Sequence, residues 1–175
     1  MESNLVISSI WEDDSLFEIE VFGSNGQFAG SADCYTYREH LLTLAEILEV
    51  FPRSLSDSFE FSTGENDDLS YISISGLCID GSGHTLLEIK IAHIVRSSNA
   101  RTENYIAIFD LRVEPEAINQ FGRLVRKVAI EPLGKTKAVL LLIGTNMEPV
   151  HLHLMEPLYW QLMEPLHLHL IDPPD

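Results

Sequence analysis

Asp80 and His84 are the residues whose types and spacing come nearest to catalytic chemistry. They flank the turn-like segment Asp80-Gly81-Ser82-Gly83, and a carboxylate beside an imidazole can orient that ring as a general base. An enzyme built on this pair would need a pocket in which Asp80, His84 and His93 converge. The same residue types also serve structure, because Asp side chains often accept hydrogen bonds from the amides of their own turn. The chain contains no nucleophile elbow, HExxH motif or phosphate-binding glycine loop, so we predict no catalytic residue and no enzyme.

A second candidate set of residues lies in a repeated C-terminal tail. From Met147 the chain reads MEPVHLHL, MEPLYWQL and MEPLHLHL, and these repeats hold His151, His153, His167 and His169. Residues i and i+2 of a strand share a face, so paired strands could gather four imidazoles suited to zinc, copper or nickel. Alternatively, the histidines are simply part of the repeat unit, alternating with leucines that pack. We therefore assign no firm metal site and no cofactor.

The tail also has an apolar face of its own. From residue 150 to residue 170 its leucines, its valine and its tryptophan all fall at even positions, so an extended tail presents them on one side. Such a face is poorly suited to water. We expect the tail to pack on its own domain or to mediate homo-oligomerisation.

The central element is predicted to be a β-hairpin over Leu69–Val95. Its second half alternates apolar residues at odd positions from 87 to 91 with Glu88 and Lys90, as a half-buried strand does. The glycines at 81 and 83 suit a tight turn between the two strands.

The remaining elements surround this hairpin. Alternation predicts strands near residues 5–11, 15–23, 27–35, 58–63 and 103–113. One helix is expected after Thr36, which forms a capping box with Glu39, and another after Pro115. Since short connections dominate, we predict an α+β fold with a mainly antiparallel twisted sheet of about six to seven strands and two helices on one face. The predicted organisation is an α+β domain over 1–129, a linker with a short apolar strand over 130–146 and an extended repeat tail over 147–175.

Composition indicates a globular cytoplasmic protein. The 175 residues are 45% hydrophobic and 22% charged, a length and balance typical of one domain. The sequence has neither a signal-peptide pattern nor an apolar run long enough for a bilayer, so no membrane association is expected. Cys34 and Cys78 are too few for a disulfide framework and are predicted to be reduced thiols.

Charge is the strongest compositional signal. The net charge is −16, and the first 80 residues hold 16 of the 27 acidic residues but two of the 11 basic ones. Two clusters stand out, Glu12-Asp13-Asp14 and a second formed by Glu65, Asp67 and Asp68. Acidic surfaces repel phosphate backbones and speed encounters with basic proteins. We therefore expect no nucleic-acid binding and propose both clusters as partner-binding candidates; the alternative is that the charge serves solubility alone.

The hairpin turn also carries a resemblance. The pattern Cys78-x-Asp80-x-x-Gly83-His84, with Phe51-Pro52 after the first predicted helix, resembles the Asp-x-x-Gly-His turn of the WapI-like bacterial immunity proteins. It spans about residues 5–129 and leaves out the tail. The resemblance implies a protein that binds and blocks a toxin without performing chemistry, and the acidic charge indicates that such a partner would be basic. We accordingly expect a non-enzymatic binding protein; the alternative is a small-ligand or metal-binding domain that uses the tail histidines.

Overall fold

The computed structural model describes residues 3–14, 16–64, 70–96 and 102–142. All described residues belong to one compact unit, Met1–Ile143. The repeat tail and its four histidines therefore lie outside the described residues, as do Glu65, Asp67 and Asp68.

Eight strands and two helices make up the described part of the chain. In chain order they are β1 (Ser3–Glu12), β2 (Phe17–Asn25), β3 (Ala29–Thr36), α1 (Arg38–Leu48), β4 (Ser58–Thr63), β5 (Ser70–Cys78), β6 (Thr85–Arg96), β7 (Thr102–Val113), α2 (Pro115–Ile130) and β8 (Lys137–Leu141). The predicted β-hairpin is confirmed as β5 and β6, with Cys78 opposite Thr85 at its closed end. Among the described residues, no helix combines the length and the apolar character needed to cross a membrane.

The strands form two antiparallel sheets of four strands each. The first, sheet A, has the order β3-β2-β1-β8, and the second, sheet B, has the order β4-β5-β6-β7. The predicted α+β class with antiparallel pairing and two helices is confirmed. The strands before α1 (β1 to β3) and those between the helices (β4 to β7) each pair within their own run, and β8 joins the first run. Alternation shows which face of a strand is buried but does not show where a sheet ends.

Strand β8 ties the end of the described chain to its beginning. It pairs antiparallel with β1, with Leu140 opposite Leu5, and both of these side chains are fully buried. The folded α+β unit therefore continues past residue 129 to include the strand that the sequence placed between 130 and 146.

One hydrophobic core lies between the two sheets and beneath the helices. The sheets approach each other closely at β3, where a Cβ added to Gly30 would lie 2.7 Å from the Cβ of Ala107 on β7. A real side chain does not fit at that separation, so glycine allows the backbone of β3 to pack directly against sheet B.

The two helices pack against each other, and α2 also contacts β8 and β1. The Asn119 side chain on α2 donates hydrogen bonds of 2.8 Å to the carbonyls of Leu48 and Phe51. The first bond satisfies the carbonyl of the last residue of α1, which has no helical partner, and the second holds the segment that follows the helix. The capping box predicted at the start of α1 is wrong: Tyr37 is the N-cap and makes no side-chain cap bond. Thr36 instead remains in β3, opposite Phe17.

Candidate functional site

The turn after β5 is held by the Asp80 carboxylate. Its Oδ1 atom accepts hydrogen bonds from the amides of Ser82 at 2.8 Å and His84 at 3.2 Å, while Oδ2 lies 2.5 Å from Nδ1 of His84. Gly83 completes the turn with a φ of +89°, which favours glycine. The hydrogen bond with Asp80 raises the pKa of His84, and the same bond lowers the pKa of Asp80. The pair thus stabilises the turn.

Among the described residues, the pocket that an enzyme would need at this turn does not form. His93 lies near the far end of β6, nine residues from His84, which at about 3.3 Å per residue separates them by roughly 30 Å. Nε2 of His84 instead faces Glu114 at 3.7 Å, the residue that precedes α2. The convergence of Asp80, His84 and His93 that an enzyme at this turn would need is therefore absent from the described structure, because a strand extends between His84 and His93.

The first acidic cluster has partly structural roles. Glu12 forms an ion pair of 2.5 Å with Arg38, and Asp13 Oδ1 accepts a 2.7 Å hydrogen bond from the amide of Leu16. Asp14 is exposed. Of this cluster, Glu12 is charge-compensated, and Asp13 holds the connection between β1 and β2.

A groove of about 670 Å³ opens where the edge of β3 meets the adjoining ends of β4, β5 and β6. Its described lining residues are Leu16, Glu18, Asp33, Cys34, Tyr35, Thr36, Tyr37, His40, Ser62, Thr63, Gly64, Ser70 and His93. None of these is a lysine or an arginine. We call this cavity the acidic groove, after Glu18 and Asp33. Its volume falls within the range typical of ligand pockets, about 300–1,000 Å³.

The floor of the acidic groove is formed by small polar side chains. Thr36 donates a hydrogen bond to the Tyr37 carbonyl, and Thr63 donates one to the Tyr35 carbonyl, each at 3.5 Å. The Cys34 thiol lies 3.8 Å from the same Tyr35 carbonyl. These hydroxyl and thiol groups therefore place polar atoms that can accept hydrogen bonds on the floor of the groove.

Cys34 is a protonated thiol at neutral pH. Burial raises its pKa to about 12, and the nearby Glu18 and Asp33 carboxylates add to the rise. Since the thiolate is the nucleophilic form of cysteine, Cys34 is unsuited to covalent catalysis. Cys34 and Cys78 are both free thiols in the described structure.

Ser70 and His93 form a hydrogen-bonded pair in the groove wall. They are opposite one another on β5 and β6, with Ser70 Oγ 2.9 Å from His93 Nδ1. In a Ser-His-Asp triad the serine faces Nε2, and Nδ1 faces a carboxylate. Here the serine occupies the Nδ1 position that a carboxylate would need, so the pair has the geometry of a cross-strand contact.

Exposed aromatic rings form the rim of the acidic groove. Tyr35 and Tyr37 are 54% and 51% exposed. The Tyr35 ring contacts the ring of Trp11 edge-on at 6.3 Å, and the Tyr37 ring contacts His40 at 5.4 Å. Exposed aromatic side chains of this kind contribute much of the energy of protein interfaces.

The acidic groove was not predicted from the sequence. The orientation of its carboxylates could be read from the sequence, since the alternation in β2 and β3 places Glu18, Asp33 and Tyr35 on the solvent-facing side of their strands. Likewise, the hairpin register places Ser70 opposite His93. The missing information was the approach of β3 to β4.

Within the described residues, no group of three or more histidine, cysteine, aspartate or glutamate side chains is placed to hold a metal ion. The metal candidates His151, His153, His167 and His169 lie outside those residues and stay a prediction. Fold and site together define an α+β protein with an acidic, aromatic-rimmed groove. No family model matches the chain, and no curated protein or solved structure matches it either. The resemblance to WapI-like immunity proteins stays a prediction.

Proposed function

We propose that this chain is a non-catalytic binding protein that recognises a basic partner protein through the acidic groove and the surface around it. The observation that carries the proposal is the composition of the described groove lining. Two carboxylates and two exposed tyrosines face the cavity, and no lysine or arginine lines it. Such a surface attracts positive charge and provides aromatic area for contact.

The charge of the whole chain supports the same partner. A net charge of −16, with the excess concentrated in the first 80 residues, accelerates encounter with a basic protein. The exposed Asp14 lies in a small cavity that shares Leu16 with the acidic groove. In sequence, the connection between the lining residues Gly64 and Ser70 carries Glu65, Asp67 and Asp68, which stay partner-binding candidates.

The chemistry of the described candidates supports binding over catalysis. The Cys34 thiol is protonated, Ser70 contacts the wrong nitrogen of His93 for a triad, and Asp80 holds a turn. The resemblance to WapI-like proteins implies that the chain blocks a toxin. A protein with that role needs a tight binding interface and does not catalyse a reaction.

Photo-crosslinking tests the proposal. The crosslinking amino acid p-benzoylphenylalanine replaces Tyr37 at the groove rim and, in a matched control, Phe28 in the turn between β2 and β3. Both aromatic side chains are exposed, at 51% and 62%. Position 37 is expected to crosslink a basic protein in source cells that position 28 does not.

The captured partner is then purified and the binary complex rebuilt. Its affinity is expected to fall as salt is raised, because charge attraction contributes to binding, and to fall again in the Glu18→Gln/Asp33→Asn variant. Equal crosslinking from both positions, a partner without excess positive charge, or an affinity unchanged by salt and by the variant would overturn the proposal.

A further inference from the structure

We infer that the acidic groove is a guanidinium site that seats an arginine side chain of the partner. The inference rests on the proposed function and names the group that the groove recognises. It follows from the hydrogen-bonding capacity, the carboxylate spacing and the aromatic rim of the cavity.

Hydrogen-bonding capacity selects a donor-rich ligand. The carboxylates of Glu18 and Asp33 only accept hydrogen bonds, and the Thr36 and Thr63 hydroxyls, which contact backbone carbonyls at 3.5 Å, can accept them as well. A ligand that brings its own N–H groups satisfies these atoms, whereas a phosphate or carboxylate ligand adds further acceptors. The guanidinium group supplies five N–H donors and accepts none.

The strand register sets the spacing of the two carboxylates. Glu18 is opposite Tyr35, and Glu20 is opposite Asp33, so Glu18 and Asp33 are diagonal neighbours on one face of the sheet. Diagonal neighbours lie about 7–8 Å apart at the backbone. A planar guanidinium placed between them can donate to one carboxylate from each edge.

The aromatic rim favours arginine over lysine. The rings of Tyr35 and Tyr37 are half exposed beside these carboxylates. A guanidinium stacks on an aromatic face while its edge donates hydrogen bonds, and it is more weakly hydrated than an ammonium. The fold already contains this type of contact, because the Arg38 guanidinium carbon lies 4.9 Å over the ring of Phe17.

The groove favours an arginine within a protein over free arginine. The described lining contains no lysine or arginine to pair with the α-carboxylate of the free amino acid. That carboxylate would instead approach Glu18 and Asp33. An arginine with both backbone ends in amide bonds avoids this repulsion.

The test is a titration of the isotope-labelled full chain, followed by the amide NMR signals of Cys34, Tyr35 and Thr63. Four probes are compared: N-acetyl-arginine N-methylamide, the corresponding lysine compound, the neutral isostere N-acetyl-citrulline N-methylamide, and free arginine. The capped arginine is expected to shift the groove signals and to bind more tightly than the lysine compound and free arginine, with no binding by the citrulline compound.

Matched variants assign the effect to the groove. Asp33→Asn and Glu18→Gln each remove one charge with little change in shape, and the double variant is expected to weaken capped arginine by about tenfold or more. Asp110→Asn, a change at an exposed carboxylate on β7, is expected to leave the affinity unchanged. Asp33 is exposed, so Asp33→Asn alone provides a test that does not disturb the core.

The results separate this inference from the proposed function. Groove signals that do not respond to capped arginine, or an affinity equal in the wild type and in Asp33→Asn, overturn the guanidinium site even when a basic partner is captured. Tighter binding of free arginine than of the capped compound overturns the assignment to a partner side chain. Equal binding of the citrulline compound overturns the role of charge.

Discussion

Arg126 on α2 forms two hydrogen bonds with Glu49 at the end of α1, with Nε 2.8 Å from Oε1 and Nη2 3.0 Å from Oε2. The paired geometry fixes one helix against the other near the same point at which Gly122 allows their backbones to approach. The hydrogen bonds from Arg126 lower the pKa of Glu49 from its ordinary value of 4.5.

Replacing Arg126 by methionine is expected to destabilise the fold in a pH-dependent manner. The carboxylate pKa is lowered in the folded state, so the pair contributes fully above pH 4.5, and the contribution is lost as the pH falls through the lowered value. At neutral pH the variant is expected to unfold at a lower urea concentration than the wild type, by the modest amount typical of a partly exposed ion pair. Urea unfolding measured from pH 7 downwards follows this difference, which is expected to shrink as the pH falls. Lys127→Met, on the same helix, is the control; a difference that does not shrink with falling pH would contradict the prediction.

Adding a methyl group at Gly122 is expected to lower the free energy of unfolding by about 1–3 kcal/mol. The new Cβ would lie 2.8 Å from the backbone nitrogen of Glu49 and 3.0 Å from the carbonyl carbon of Leu48. This clash outweighs the gain in helix propensity of about 1 kcal/mol. Gly81→Ala is the matched control, because no described atom lies within 4 Å of its added Cβ. Equal stability of the two variants in urea unfolding would show that the helices are not in close contact.

The pKa of His84 is expected to lie above 6.5 and to fall when Asp80 is replaced by asparagine. Its hydrogen bond with Asp80 and the charges of Asp80 and Glu114 raise the value. The stabilisation of the folded state by the Asp80–His84 ion pair is therefore present below pH 6.5, and it is lost as the pH rises through the raised pKa of His84 in the folded protein. NMR titration of the His84 ring in the wild type and in Asp80→Asn measures the two pKa values. The asparagine side chain can still accept the hydrogen bonds that the turn amides donate, so the turn is retained. A titration identical to that of the wild type would therefore argue against the ion pair.

Cys34 is expected to resist alkylation in the folded protein. Burial raises the pKa of its thiol to about 12, so the reactive thiolate is scarce at pH 8. In the Cys78→Ser variant, iodoacetamide should label Cys34 only after unfolding in urea, as followed by mass spectrometry. Labelling of the native variant at the unfolded rate would contradict a buried thiol.

Local patterns were sufficient to predict the strands and helices. Alternation located β6, with Glu88 and Lys90 on the wet side, and the turn glycines marked the end of β5. The initial Pro115 and the acidic first turn marked α2. Each of these signals depends on neighbours within a few residues, which is why each could be read from the sequence.

Contacts between distant residues were beyond local patterns. The acidic groove requires Thr63 on β4 to lie against Tyr35 on β3, a contact across 28 residues, and no periodicity records it. The start of α1 was misplaced for a related reason. Thr36 has the chemistry of a cap residue, but its pairing with Phe17 keeps it in β3 and leaves Tyr37 as the N-cap.

The pairing of β8 with β1 imposes an order on folding during synthesis. All strands of sheet B and all their pairing partners lie within Ser58–Val113, so that sheet is complete once its last strand has left the ribosome. In sheet A, β1, β2 and β3 pair as neighbouring hairpins, but the sheet is complete only when Lys137–Leu141 reaches Ser3–Glu12. That closure spans most of the described chain, and such distant pairings form slowly. Until then the nascent chain exposes the edge of β1 to other chains. The last strand of the described fold is thus the one that protects the first.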